Sequence, residues 1–104
     1  MQRLAFKLQL HKGFETEYKR RHNELWPELA VLLKESGISE YVIYLDEPTG
    51  NLFGYMKVED PIALELLPQQ PIMKRWWDYM KDIMECNDDH SPVSIPLQEV
   101  FYLP

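Results

Sequence analysis

The sequence predicts an α+β fold in which strands and helices follow one another in the order β-α-β-β-α-β. Three observations predict it. Residues 3–10 alternate apolar and polar side chains with a period of two, as a half-buried strand requires. Two stretches, starting at Phe14 and at Ile72, repeat apolar residues with the helical period instead. Between them lie two β-rich segments, 40–46 and 52–59, whose connection is short enough to make an antiparallel hairpin.

In the first strand Leu4, Phe6, Leu8 and Leu10 share one face, and Ala5, Lys7 and Gln9 the other. Lys12-Gly13 breaks it. The helix that follows carries Tyr18-Lys-Arg-Arg-His22-Asn-Glu-Leu-Trp26-Pro-Glu28. Tyr18 and His22 stand one turn apart, as do His22 and Trp26, so an imidazole is expected between two aromatic rings. Lys19, Arg20 and Arg21 read as a solvated helix face. Pro27 lacks the N–H and clashes with the preceding turn, so the helix should end or kink near Asn23. Asn23 can then cap a second helix with Pro27 in its first turn. Leu29, Leu32 and Leu33 continue the apolar stripe, and Ser36-Gly37 stops it, with Gly37 as the C-terminal cap.

Glu47-Pro-Thr-Gly-Asn51 is the turn between the two β segments. Asp60-Pro61 opens a short helix, and Pro68 and Pro71 bound a break. From Ile72 a helix places Ile72, Trp76, Tyr79, Met80 and Ile83 on one stripe, with Met73, Trp77 and Met84 beside it. Residues 86–96 read as a loop, and 97–103 as a final strand. This order is the split βαβ pattern of ferredoxin-like folds: a four-stranded antiparallel sheet with helices on one face. The strands are apolar on both faces, with Val42 and Tyr44 opposite Tyr41, Ile43 and Leu45. The uncovered face therefore needs a partner, and a second copy, giving a dimeric α+β barrel, is the simplest one.

With 104 residues, residues 1–104 are expected to form a single domain. The net charge of −6 argues against a nucleic-acid-binding surface. The lone Cys86 excludes an internal disulfide and fits a reducing compartment. No cysteine–histidine spacing suggests zinc, and no apolar run is long enough to span a membrane. The alternating N-terminus is unlike a signal peptide. The expectation is a cytoplasmic protein with no membrane or nucleic-acid partner.

Among the residues that could carry chemistry, Trp76-Trp77 stands out. Neighbours on a helix diverge by about 100°, so one ring should belong to the core and the other could wall a pocket. Indole faces stack well on the C–H faces of sugars. Tyr41, on the second strand, could reach a ligand with its hydroxyl. Asp88, Asp89 and His90 resemble metal ligands only by residue type and read as a polar loop. His22 is the best general acid/base candidate, because imidazole titrates near neutral pH. His11 lies near the end of the first strand and His90 in the polar loop. No nucleophile motif, phosphate loop or cofactor fingerprint is present.

His22-Asn-Glu-Leu-Trp-Pro-Glu-Leu29, Tyr44-Leu-Asp46, Trp76-Trp-Asp-Tyr-Met80, Ser91-Pro92 and Leu97-Gln-Glu-Val-Phe-Tyr-Leu103 together resemble the L-rhamnose mutarotase family, in order and over nearly the whole chain. The resemblance implies a cytoplasmic, cofactor-independent homodimer with a ferredoxin-like fold that interconverts the α and β anomers of L-rhamnose. It implies that His22 is the acid/base residue and that Tyr18, Tyr41, Trp76 and Trp77 bind the sugar, with no metal. The family loop commonly reads Asn-Pro-Asp-Asn-Ser-Pro; here it is Asn87-Asp-Asp-His-Ser-Pro92, so no ligand contact is carried over to Asp88 or His90. Ring opening and reclosure need one proton removed from the anomeric hydroxyl and one given to the ring oxygen, which suits a histidine in a preorganised pocket. The sequence names no second proton-transfer group. Two other readings stand beside it: a cofactor-free monooxygenase or lactone isomerase, which shares the fold, and a non-catalytic small-molecule-binding module.

Overall fold

Alternation along the first strand decides which way the sheet faces. In the computed structural model, which describes residues 1–104, the chain runs β1 (Gln2–Gln9), α1 (Glu15–Asn23), α2 (Pro27–Glu35), β2 (Ile38–Asp46), β3 (Asn51–Val58), α3 (Pro61–Leu64), a 3-10 turn over Leu67–Gln69, α4 (Pro71–Met80) and β4 (Ile95–Leu97). The strands form one antiparallel sheet in the order β2-β3-β1-β4, the ferredoxin-like arrangement. Leu8 pairs with Leu52 and Leu4 with Met56 across β1 and β3. Leu8, Leu10 and Leu52 pack against Tyr18, Leu29, Trp76, Met80, Ile83 and Met84, which puts the helices on this one face. Ile38, Met56 and Val58 form a second cluster beside it. Leu29, Leu52, Ile83 and Val58 are shut off from water almost completely, and each contributes about 1.5–3 kcal/mol.

The break in the first helical stretch differs from the expectation in its capping. Asn23 is the last residue of α1 and does not cap α2. Trp26 occupies the N-cap position of α2 in an extended conformation, φ −60° and ψ 129°, with no side-chain cap, and Pro27 follows as the first helical residue. The first helix ends at Asn23 as expected, and because proline pushes the residue before it out of the helical region, the N-cap of α2 falls at Trp26 rather than at Asn23. At the other end of α2, Ser36 is the C-cap and Gly37 follows it at φ +87°, its N–H donating to the Lys34 carbonyl at 3.0 Å. Asp60 caps α3 by accepting from the Ile62 N–H at 3.0 Å.

β2 starts two residues earlier than its β-rich stretch suggested, and it is bulged. Ser39 faces Lys57 but Val42 faces Tyr55, so one extra residue sits on β2. Glu40 takes φ +50°, uncommon for any residue but glycine, and its carboxylate pairs with Lys57 Nζ at 2.6 Å. The extra residue inverts the alternation. Ile38 before the bulge and Tyr41, Ile43 and Leu45 after it therefore all face the helices.

The final strand also differs. It covers only Ile95–Leu97, paired with Lys7, Phe6 and Ala5. Residues 98–103 are unpaired. Side chains hold them to β1 instead: Arg3 Nη2 meets Glu99 Oε1 at 2.8 Å, and the Arg3 guanidinium lies 3.6 Å from the centre of the Tyr102 ring. On the sheet face away from the helices, Tyr44, Phe53, Ile95 and Leu97 remain exposed, as do Val100, Phe101 and Leu103 in the tail.

Candidate active site

A largely apolar cavity of about 1000 Å³ lies between β2 and helices α1, α2 and α4. All five residues singled out from the sequence, Tyr18, His22, Tyr41, Trp76 and Trp77, line it. His11 and the Asp88–His90 loop do not. No three His, Cys, Asp or Glu side chains are close enough to hold a metal ion. In the loop Asp89 accepts from the Ser91 N–H at 3.0 Å, and His90 Nδ1 lies 3.2 Å from Asp78 Oδ1 on α4.

Helix α1 fixes both the position and the tautomer of His22. Its Nδ1 lies 3.0 Å from the carbonyl oxygen of Tyr18, one turn earlier. A carbonyl only accepts, so Nδ1 carries the hydrogen of the neutral ring and Nε2 carries the lone pair. The imidazole sits between Tyr18, ring centres 4.3 Å apart, and the edge of Trp76 at 5.5 Å and 90°. The second neighbour is thus Trp76 and not Trp26. The break at Pro27 swings Trp26 off the α1 face, and its ring meets Trp76 at 5.1 Å and stacks on Tyr79 at 5.5 Å. Burial pushes the imidazole below its ordinary value, against the opposing pull of the Tyr18 carbonyl. At neutral pH the ring is therefore an uncharged base.

The two phenols are tuned the other way. Burial, with a smaller contribution from the nearby Tyr41, raises Tyr18 well above the usual phenol range. No group of the protein accepts from its hydroxyl, yet no buried polar side-chain atom lacks a partner, so that hydroxyl opens onto the cavity. Tyr41 lines the cavity, and desolvation pushes its phenol up to about 12. Both stay protonated at neutral pH and can donate hydrogen bonds. The Tyr41 ring rests edge-on against Phe6, with centres 6.1 Å apart. Phe6 reaches it by lying across Gly54 of β3, where a Cβ would stand only 2.3 Å from the ring. Trp76 is the core member of its pair, 6% exposed, and Trp77 is half-buried on the cavity wall.

Arg21 was missed by the reading of 19–21 as a solvated face. It is 8% exposed. Its Nε donates to Glu17 at 2.8 Å, its Nη1 to the Tyr79 carbonyl at 2.7 Å, and its two terminal nitrogens to Asp82 at 2.9 and 3.2 Å. Helical spacing offered a signal, because Glu17 and Arg21 are an i, i+4 pair on the flank next to Tyr18 and His22. Asp82 lies 61 positions away and could not be paired with Arg21 by inspection.

A family model described as L-rhamnose mutarotase matches residues 3–103. Among similar proteins, an L-rhamnose mutarotase of Formosa agariphila is 54% identical over 103 residues, covering 99% of each chain. One from Bacteroides thetaiotaomicron is 50% identical over 103 residues, again 99% of each. The crystal structure of an L-rhamnose mutarotase from Formosa agariphila superposes with a TM-score of 0.94 at 53% identity, covering 100% of both chains. The fold, the length and the sequence agree throughout, and the chain belongs to the L-rhamnose mutarotase family.

Proposed function

We propose that this chain is an isomerase that interconverts the α and β anomers of L-rhamnose, with His22 as the acid/base residue and Tyr18, Tyr41, Trp76 and Trp77 holding the sugar. The observation that carries the assignment of roles is the neutral His22 ring. Its Nδ1 is committed to the Tyr18 carbonyl, and it sits in a cavity walled by those four aromatic residues.

The proton bookkeeping closes with one residue. Nε2 takes the proton from the anomeric hydroxyl, and the imidazolium returns it to the ring oxygen as the bond between the anomeric carbon and that oxygen breaks. The exocyclic oxygen becomes the carbonyl of the open aldehyde. Rotation about the bond to the next carbon presents the other carbonyl face, and the same steps in reverse close the ring as the opposite anomer. The two phenols, held protonated, donate to sugar oxygens, and the indoles pack on the C–H faces. No net proton is gained or lost, and the reaction as written uses no cofactor.

We further propose that the protein is a cytoplasmic homodimer whose partner covers the exposed apolar sheet face formed by Tyr44, Phe53, Ile95 and Leu97. Freshly dissolved single-anomer L-rhamnose, followed by optical rotation, tests the activity. Rotation should settle to equilibrium faster than the spontaneous rate with the wild-type protein. His22→Ala should lose about 10²–10⁴ in rate while keeping its fold, the usual contribution of general acid/base catalysis. A wild-type protein that leaves the spontaneous rate unchanged would overturn the assignment.

A further inference from the structure

The buried guanidinium beside the histidine has no part in the chemistry just described. Burying a charge is costly unless it is paired and hydrogen-bonded, and here it is both. Arg21 spans two elements. From α1 it reaches the last turn of α4, where the Tyr79 carbonyl is one of the terminal carbonyls left without a helical partner. The Ile83 N–H, which would serve it in a longer helix, goes to the Met80 carbonyl instead. The planar fork bonds that carbonyl and both Asp82 oxygens at once, and its carbon lies 4.5 Å from the centre of the Tyr79 ring. Both the backbone and the side chain of Tyr79 are therefore held by one group.

From Tyr79 an unbroken series of ring contacts leads back to the reacting histidine. Tyr79 stacks on Trp26 at 5.5 Å and 29°, Trp26 meets Trp76 at 5.1 Å and 87°, and Trp76 meets His22 at 5.5 Å and 90°. Tyr79 also touches Trp76 directly, at 5.7 Å. The His22 ring is tied by one hydrogen bond, to Tyr18. That bond fixes the tautomer and leaves the ring's tilt to its neighbours, and the Trp76 edge is the neighbour that these ring contacts join to Tyr79.

We infer that Arg21 is a positioning residue: its guanidinium clamps α1 to the end of α4 and, through Tyr79, Trp26 and Trp76, sets the orientation of the His22 ring in the cavity. This rests on the reading of His22 as the acid/base residue. Lysine cannot replace the arginine, because a single ammonium on a flexible stem cannot hold the Tyr79 carbonyl, both Asp82 oxygens and the ring face together.

Arg21→Lys and Tyr79→Leu test it, with Arg75→Lys as control. The control residue is an exposed arginine of α4 that touches neither the clamp nor the cavity. Anomer exchange of L-rhamnose by saturation-transfer NMR is measured at a temperature where melts show every variant fully folded. Arg21→Lys and Tyr79→Leu should lose about tenfold or more in kcat, since a displacement of about 1 Å at a catalytic group can cost 10²-fold. The control should match the wild type. The nitrogen resonances of the His22 ring, recorded without sugar, should shift in the two test variants and stay put in the control. This second readout does not depend on the substrate, so it still tests the positioning if the wild type fails to exchange L-rhamnose, a failure that falls on the proposed function instead. Wild-type kcat and unshifted His22 resonances in both test variants, with only the melting temperature lowered, would show that Arg21 holds the helices together and does nothing for the histidine.

Discussion

Gly54→Ala perturbs the site from beneath without touching any residue proposed to meet the sugar. The added Cβ would stand 2.3, 2.5 and 2.9 Å from three atoms of the Phe6 ring. Carbon atoms rest at about 3.5–4.0 Å, so the ring must retreat by about 1 Å or more. It has little room, because Phe6 packs against both the main core cluster and the smaller one beside it. Overpacking of this kind costs about 1–3 kcal/mol. At 2 kcal/mol the melting temperature of a chain this size falls by roughly 8–16 °C. The displaced ring also presses on Tyr41, which it meets edge-on at 6.1 Å, so KM for L-rhamnose should rise several-fold while kcat changes less. Calorimetry and anomer-exchange kinetics read the two effects separately. Shrinking the ring in Gly54→Ala/Phe6→Leu should recover much of the stability. A Gly54→Ala protein with wild-type melting temperature and wild-type KM would refute both the close approach and the role of Phe6 as the support of Tyr41.

Trp76→Ala should lose about 3–5 kcal/mol of stability, as expected for a large aromatic truncated in a core, whereas Trp77→Ala should keep most of its stability and lose sugar affinity, read by melts beside isothermal titration. Burial lowers the His22 pKa, so the acid limb of kcat/KM should fall below pH 6.5, the ordinary imidazole value; a limb above 6.5 would contradict the buried neutral ring. The same shift acts on stability. Between the lowered folded value and 6.5 the unfolded chain holds the extra proton, so the His22 contribution is complete above pH 6.5 and is lost as pH falls through the folded value. His22→Ala should flatten that part of the stability–pH curve relative to wild type. Sedimentation should show a dimer at micromolar concentration, and a stable monomer there would remove the proposed cover of the outer sheet face.

Much of this molecule could be read from local pattern, because its prolines and glycines act within a few residues of where they stand. Pro27, Pro61 and Pro71 each mark the first residue of a helix, and Gly37 follows the end of one. The alternation in 3–10 gave the correct inner face of β1. The bulge was not legible, because Glu40 carries no residue-type signal for φ +50°. The five cavity residues were found because their types are chemically distinctive and because the family resemblance covers them. Arg21 was not, because Lys19-Arg20-Arg21 is charged throughout and the partners that bury the last of the three lie on α4 and beyond it. The pairing of Trp76 rather than Trp26 with His22 likewise depends on how α1 and α4 meet, which no spacing within 18–28 encodes.

The hydrogen bond from His22 to the Tyr18 carbonyl makes the imidazole a cul-de-sac. In a relay, a proton enters one ring nitrogen and leaves from the other, and the residue must then be reset. Here the Nδ1 side is closed off by its own helix, and on the proposed reading every proton must come and go through Nε2. The ring that opens the sugar is left in the state needed to close it again. Neither direction requires a separate step that restores the catalyst, and neither anomer is favoured by the state in which the enzyme waits. Such a residue can hasten an equilibrium from both sides but cannot drive it, which is all that the exchange of two anomers asks.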